Sequence, residues 1–226
     1  MAVSASTLDL PNDGPSVSAT QRVYHALRDA ILTGDLTPGD RLKVDRLKSM
    51  LDVGASPIRE ALSLLTSDQL VERLDQRGFR VATVSGTQFQ EILTLRCSLE
   101  DLALRQSVAA ATETWEETLV LAHHRMTRAP RGDDGFEALH KAFHMVLLSN
   151  CASPILLKFC DQLYDLNIRY RYLAGKSGSY SQRDVTGEHA DILQAVLDRD
   201  ADLAARTLTR HYRKTGEFLS GQIGDL

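Results

Sequence analysis

Apolar residues recur every three or four positions in three short segments near the start of the chain. These segments, each of which predicts an amphipathic helix, contain Val23, Leu27, Ala30 and Ile31, then Val44, Leu47 and Leu51, then Ile58, Ala61, Leu62 and Leu65. Gly34 is a natural end for the first helix. Ser56 can cap the third helix, and Pro57 suits its first position.

The hydrophobic period changes to two after the third helix. Two short strands are predicted, one from Val71, Arg73 and Asp75 and the other from Phe79, Val81 and Thr83, which occupy every second position. The turn between them is Asp75-Gln76-Arg77-Gly78, and its glycine favours a hairpin. Three helices followed by a β-hairpin predict a winged helix-turn-helix.

The pattern is helical from Ser85 onward. It predicts helices at 86–109, 112–129, 133–150, 154–172, 182–199 and 200–221. The chain is therefore expected to be mainly α, with an N-terminal winged helix-turn-helix and an all-α antiparallel helical bundle. The expected divisions are a disordered tail at 1–18, a winged helix-turn-helix domain at 19–84 and an all-α domain at 85–226.

Charge and cysteine content narrow the class of protein. The net charge is −4, but residues 19–84 carry ten Lys/Arg against nine Asp/Glu, and the rest of the chain from Ser85 carries sixteen against nineteen. A small nucleic-acid-binding module on an acidic body fits this division. The three cysteines form no CxxC pair, and no apolar run is long enough to span a bilayer, so we expect a reduced, cytoplasmic protein.

Two histidines lie four residues apart in the apolar stretch "LHKAFHMVLL". On a helix, His140 and His144 share one face, because four residues is about one turn. The pair is either a set of packed, hydrogen-bonded core histidines or half of a metal site.

Longer motifs resemble a known family of regulators. The stretches "LRDAILTGDLTPGDRL" and "SPIREALSLLTSDQLVERLDQRGFRV" resemble the winged-helix domain of GntR-type bacterial transcription regulators. The stretches "LRCSLEDLAL", "HKAFHMVLLSN" and "GEHADILQAVLDRDADLA" resemble the helical effector (FCD) domain of the FadR-type branch. The combination of "VGASPIREAL" and "HKAFH" resembles a sub-branch that includes a glutarate-responsive repressor.

The resemblance implies a set of DNA-binding residues. Its expected members are Arg59 and Ser56 on the recognition helix, Arg77 and Gly78 at the wing, and Arg46 and Lys48 as phosphate contacts. The alternative for Arg59 is a solvated arginine paired with nearby acids. Gly54 and Ala55 stand where the family usually has serine and arginine, so a different operator is expected.

The resemblance also implies a divalent metal in the effector domain. It places His144, His189 and His211 on the family's three histidine ligands, and His140 on the position of an aspartate. His140 is then either a fourth ligand or a lost one. Imidazoles suit a transition metal, with zinc the first choice and nickel, iron or copper compatible.

An arginine at the position of Arg96 often binds the effector's carboxylate in this family. With a metal opposite, that predicts a small dicarboxylate or hydroxy acid as effector. The alternative is an ion pair between Arg96 and Glu100 on the helix surface. Further polar candidates for the effector site are Asn150, Arg169, Tyr172 and Tyr164.

The function expected from the resemblance is a ligand-responsive repressor. A homodimer would read a short inverted repeat in double-stranded DNA. The two rivals are a metal-dependent hydrolase that uses the histidines and an all-α protein-interaction module. Catalysis is disfavoured because the chain lacks HExxH and GxSxG motifs, and because Glu188 points about 100° away from His189 around their helix.

Overall fold

The computed structural model describes residues 17–75, 77–130, 135–174 and 184–223. The chain divides into two units. Unit 1 is the described part of Met1–Ser85 together with Ile168–Leu173, and unit 2 is the described part of Gly86–Asn167 and Ala174–Leu226. The tail predicted for residues 1–18 lies, up to residue 16, outside the described residues.

The described part of unit 1 contains three helices and a three-stranded sheet. In chain order they are α1 (Ala19–Thr33), β1 (Arg41–Leu42), α2 (Val44–Leu51), α3 (Ala55–Ser67), β2 (Val71–Leu74) and β3 (Gly78–Val81). The apolar faces of α1 and α3 pack together, and Leu27, Ile58 and Leu62 are fully buried. This arrangement confirms the predicted winged helix-turn-helix.

The ends of α1 follow from two residues. The Ser18 side chain accepts a hydrogen bond from the Gln21 amide, and the Gln21 side chain accepts one from the Ser18 amide. This capping box satisfies two donors that the first turn leaves open. Gly34 ends the helix with φ +88°, a left-handed conformation that costs glycine little.

The sheet is antiparallel, with the strand order β1-β3-β2. Val71 lies opposite Val81, and Leu74 lies opposite Gly78, so β2 and β3 form the predicted hairpin with slightly shorter strands. The sequence did not predict β1, because two residues are too few to show an alternating pattern.

The start of α3 differs from the prediction. The helix begins at Ala55, and Gly54 occupies the capping position. The Ser56 hydroxyl lies inside the first turn and donates to Glu60 at 3.1 Å. The expectation that Ser56 caps the helix is therefore wrong.

The regular elements of unit 2 that the structure describes are all helices. Its helices are α4 (Gly86–Ala109), α5 (Glu113–Arg128), α6 (Phe136–Leu148), α7 (Pro154–Leu173, whose last six residues belong to unit 1), α8 (Val185–Leu197) and α9 (Ala201–Ile223). Their ends lie within three residues of the predicted ones. None of the helices in the described ranges is long and apolar enough to cross a membrane.

The core of unit 2 brings distant helices into contact. Trp115 on α5 is buried, and its indole N–H donates to the Val146 carbonyl on α6 at 2.7 Å. The helices α4 and α9 approach closely at Gly216, where a Cβ atom would overlap with the side chain of Leu93. This close approach positions the polar residues that α4 and α9 carry into the interior.

Candidate metal centre and candidate nucleic-acid interface

Four histidines from three helices of unit 2 meet in its interior. They are His140 and His144 on α6, His189 on α8 and His211 on α9. All four are at most 5% exposed, and their candidate ligand nitrogens lie within 4.8 Å of one another. The structure thus brings together the whole predicted set, including His140.

The histidine cluster is built by ordinary helix geometry. His140 and His144 are one turn apart, and their ring centroids are separated by 4.5 Å. The rings of His189 and His211 face them from α8 and α9, with centroids 4.6 Å apart. The Phe143 ring packs beside His189 at 5.5 Å and gives the cluster an apolar wall.

The donor geometry of the cluster fits a transition-metal ion. The Nε2 atoms of His144 and His189 are 3.3 Å apart. Two nitrogens bound tetrahedrally at 2.0–2.1 Å to one ion would be separated by about 3.3–3.4 Å. Buried imidazoles are also the donors that zinc, nickel and iron accept. The residues present therefore fit the ion that the resemblance implied.

Three of the histidines contact a polar side chain through their outer nitrogen, Nδ1. The Tyr164 hydroxyl lies 2.5 Å from His140, the Tyr212 hydroxyl lies 2.8 Å from His144, and a Glu188 oxygen lies 2.8 Å from His211. Tyr212 in turn donates to the Glu100 carboxylate. Burial, followed by the Glu100 charge, raises the pKa of Tyr212 well above its ordinary value.

Sequence reasoning missed Glu188 and Tyr212 as members of this group and named Glu100 only as a surface partner of Arg96. Glu188 was set aside because it points away from His189, its neighbour on α8. In the structure it faces His211 on α9 instead. The spacing along α8 held no signal for this contact, because a contact between two helices is not visible in the spacing along one of them.

Arg96 lies beside the histidine cluster and is 5% exposed. Its Nε donates to Glu100 at 2.6 Å, its Nη1 donates to Asn167 at 2.9 Å, and its guanidinium lies 4.0 Å from the centre of the Tyr212 ring. Its Nη2 has no hydrogen-bond partner within the described part of the chain. The ion pair with Glu100 therefore exists, but it is buried and not on the helix surface as the alternative supposed.

The electrostatics of Arg96 favour a charged guanidinium. Burial by itself lowers the pKa of Arg96, but the Glu100 carboxylate and the Tyr212 and Tyr164 hydroxyls raise it further, so the pKa ends above its ordinary value. Arg96 therefore keeps its positive charge, which the Glu100 carboxylate balances, and its Nη2 has no acceptor within the described part of the chain.

Three of the predicted effector residues lie elsewhere. The Asn150 amide donates to the carbonyls of Ser107 and Ala110, at 3.1 and 2.5 Å, and so ties the end of α4 in place. Arg169 and Tyr172 fall in the six residues of α7 that belong to unit 1. There Arg169 donates to the Ala82 carbonyl at 2.5 Å, and burial lowers its pKa.

The predicted DNA-binding residues are exposed on unit 1. Arg59 and Ser56 lie on the first turns of α3, Arg46 and Lys48 on α2, and Arg77 and Gly78 at the hairpin turn. Among the described residues, Arg59 has no hydrogen-bond or ion-pair partner, so the alternative of pairing with nearby acids finds no support. Gly78 adopts φ +91° at the tip, which favours glycine.

Two family models match this chain. Residues 19–81 match the model of the bacterial regulatory proteins, gntR family, and residues 91–214 match the model of the FCD domain. The first covers the winged helix-turn-helix, and the second covers the helices that carry Arg96 and the histidine cluster.

Individual relatives agree with these matches. The chain is 34% identical to the HTH-type transcriptional regulator BphR of Paraburkholderia xenovorans over 92% of this chain and 86% of that one. It is 29% identical to the HTH-type transcriptional repressor GlaR of Escherichia coli over 83% and 90%. The solved structure of E. coli McbR/YncC shares the fold, with a TM-score of 0.79 at 24% identity over 91% of this chain and 99% of that one.

Proposed function

The chain belongs to the gntR family of bacterial regulatory proteins and carries an FCD domain, and from this premise we propose which signal it senses and how it binds DNA. It is a transcription regulator and not an enzyme, because its families and relatives are transcription regulators. This excludes the hydrolase alternative. We propose that it is a repressor that releases its operator when a small dicarboxylate or hydroxy acid binds in unit 2.

The observation that carries this proposal is the open Nη2 of Arg96 beside four buried histidines. A buried guanidinium nitrogen without an acceptor is costly unless a ligand completes it. A carboxylate oxygen is the acceptor that suits it best, because the hydrogen bond is charge-assisted. Glu100 accepts from Nε and Asn167 accepts from Nη1, so Arg96 offers the acid its Nη2.

The histidine cluster supports a resident metal ion, with zinc the first choice and nickel or iron compatible. His144, His189 and His211 would hold it, with His140 as a fourth nitrogen ligand. A bound ion would supply positive charge and, by expanding beyond four ligands, a coordination position for an oxygen of the acid. The chain's own contribution is to bury both binding groups, the Arg96 guanidinium and the histidine cluster. An acid with two polar ends would then bind Arg96 at one end and the cluster at the other.

The response to the acid is a shift between two states. The acid must bind the DNA-releasing state more tightly than the DNA-binding state, because equal affinity would change nothing. Arg96 and the cluster lie on α4, α6, α8 and α9, so an acid that bridges them changes the packing of those helices.

DNA recognition is proposed to use the exposed residues of unit 1. Arg59 reads a guanine from the major groove, Ser56 binds a phosphate, Arg77 and Gly78 follow the backbone at the wing, and Arg46 and Lys48 bind phosphates. A homodimer would present two such modules to a short inverted repeat. Leu95 and Leu102 are nearly half exposed on one face of α4, which is apolar surface that a second copy could cover.

Fluorescence anisotropy tests the acid response. Operator DNA selected from a random pool is titrated with the zinc-loaded protein in the presence of glutarate, succinate, malate or the monocarboxylate butyrate. We expect a two-ended acid to weaken DNA binding at least tenfold and butyrate to do so less. Arg96→Lys should lose the response, because lysine lacks the planar fork. Arg105→Lys, at an exposed position of the same helix, is the matched control.

A wild-type protein whose DNA affinity ignores every acid of this kind would contradict the proposal. Equal losses of response in the Arg96 and Arg105 variants would also contradict it. Metal analysis of the purified protein is the companion measurement: we expect one ion per chain in the wild type, none in His189→Ala, and one in His124→Ala, whose histidine is exposed on α5.

A further inference from the structure

We propose that Tyr212, held by Glu100, and Glu188 are positioning residues that fix which ring nitrogen of two histidines carries the hydrogen. In this assignment His144 and His211 are both protonated on Nδ1 and present an Nε2 lone pair to the centre of the histidine cluster. The inference rests on the proposed metal site and deepens it, because a histidine can ligate an ion only through a nitrogen that carries no hydrogen.

The first step concerns the hydrogen of the Tyr212 hydroxyl. Glu100 accepts from Arg96 Nε through one oxygen and from the Tyr212 hydroxyl through the other. A carboxylate in an ion pair can only accept, so the single hydroxyl hydrogen of Tyr212 is directed to Glu100. The same hydroxyl oxygen lies 2.8 Å from His144 Nδ1 and must accept there. His144 therefore carries its hydrogen on Nδ1.

The second step concerns His211. Glu188 accepts from Lys214 at 3.2 Å through one oxygen, and its other oxygen lies 2.8 Å from His211 Nδ1. A carboxylate has no hydrogen to donate to the ring, so His211 must donate from Nδ1. Its Nε2 is left with a lone pair, as in His144. Two different outer partners, on two different helices, thus impose the same tautomer.

The consequence appears between His144 and His189. Their Nε2 atoms face each other at 3.3 Å, and the Nε2 of His144 brings a lone pair to that contact. Without Tyr212, a neutral imidazole can place its hydrogen on either nitrogen, and a ring protonated on Nε2 points an N–H at the position of the ion. Outer partners of this kind typically change metal affinity by about 10–100-fold.

Tyr212→Phe is the sharpest variant, because it removes one oxygen atom and leaves the ring over Arg96. Glu188→Gln removes the charge behind His211. The matched control is Tyr170→Phe, since Tyr170 is equally buried and its hydroxyl bonds to Ser85 in unit 1. Glu100 is left unchanged, because it also pairs with Arg96 and its replacement would alter both.

Zn²⁺ affinity is measured on the full chain by competition with a chelating dye, and circular dichroism checks that each variant is folded. We expect Tyr212→Phe and Glu188→Gln to lose about 10–100-fold in affinity and Tyr170→Phe to match the wild type. Wild-type affinity in both cluster variants would overturn the proposal. So would equal losses in all three.

A second measurement needs no metal. Long-range proton–nitrogen spectra of the metal-free protein distinguish the two imidazole tautomers, and we expect hydrogen on Nδ1 of His144 in the wild type and in Tyr170→Phe, but not exclusively in Tyr212→Phe. An Nε2–H tautomer in the wild type would overturn the positioning role. A wild type with the expected tautomer that binds no Zn²⁺ would instead contradict the metal function proposed above.

Discussion

The histidine cluster of unit 2 and the basic surface of unit 1 differ in how far their polar side chains are buried. The basic surface consists of the exposed residues Arg46, Lys48, Arg59 and Arg77. In the cluster, His140, His144 and His211 are buried and each contacts a polar partner within the protein. On the surface, Arg59 and Lys48 are exposed, and nothing in the described part of the chain holds Arg59. Buried polar groups must form their hydrogen bonds inside the protein, whereas exposed ones can bond to water until a binding partner replaces it.

This difference determines what each region can show by itself. The contacts within the cluster already define its donors and its polar partners. The surface defines only where positive charge is available, and the sequence of the DNA supplies the rest. Energetic tests should therefore give large effects on folding in unit 2 and effects confined to DNA binding in unit 1.

The largest expected effect is on the buried ion pair. Arg96→Met leaves Glu100 buried without a counter-charge and should lower the free energy of unfolding of unit 2 by about 3–5 kcal/mol. Urea unfolding followed by the fluorescence of Trp115, the single tryptophan of the chain, measures this in metal-free protein.

The matched comparison is Glu116→Gln, which breaks an ion pair with Arg199 whose arginine side chain is 55% exposed. That change should cost about 0–1 kcal/mol. The double variant Arg96→Met/Glu100→Gln should recover part of the loss, since no buried charge is left unpaired. If Arg96→Met were as mild as Glu116→Gln, the distinction between buried and exposed charges would not hold for stability.

The next effect belongs to unit 1. Arg59→Ala should weaken operator binding by about 1–3 kcal/mol and relax the base preference at one position of each half-site, because the loss removes a base contact. Anisotropy with the selected operator and its single-base variants measures both. Arg206→Ala, an exposed arginine on α9, should leave binding unchanged. Metal content should be unaffected by either change, and unaltered specificity in Arg59→Ala would remove this residue from the reading surface.

The smallest effect concerns a phosphate contact. Lys48→Ala should weaken binding to all DNA sequences by a similar factor and reduce the slope of log affinity against log salt by about 1. A salt titration of operator and random DNA side by side measures this. A loss restricted to the operator would instead make Lys48 a base-reading residue.

The sequence predicted the fold closely, because the fold is carried by local patterns. The amphipathic stripes gave the helices of unit 2 to within three residues, and the change of period gave the hairpin. The exceptions were local as well: β1 is too short for a pattern, and α3 begins at Ala55, two residues before the predicted first position Pro57.

The site was predicted only in part, because its remaining contacts run between helices. The resemblance supplied the four histidines and Arg96, and helical spacing supplied the Arg96–Glu100 pair. The contacts of Glu188 and Tyr212 were visible only once α4, α8 and α9 were packed. Along α7, Asn167 reaches Arg96 while Arg169 does not. Two residues along a helix correspond to about 200° of rotation, so the side chains of Asn167 and Arg169 bond to partners in different units.

Gly216 sets how closely α4, which carries Arg96, approaches α9, which carries His211. It lies five residues beyond His211, and across from it Leu93 lies three residues before Arg96. The distance between the guanidinium and the imidazoles therefore depends on residue 216 being a glycine, which has no side chain. Any larger residue at 216 would displace Leu93 or spread the two helices, and under the proposed function the acid of best fit would then be one with a longer carbon chain.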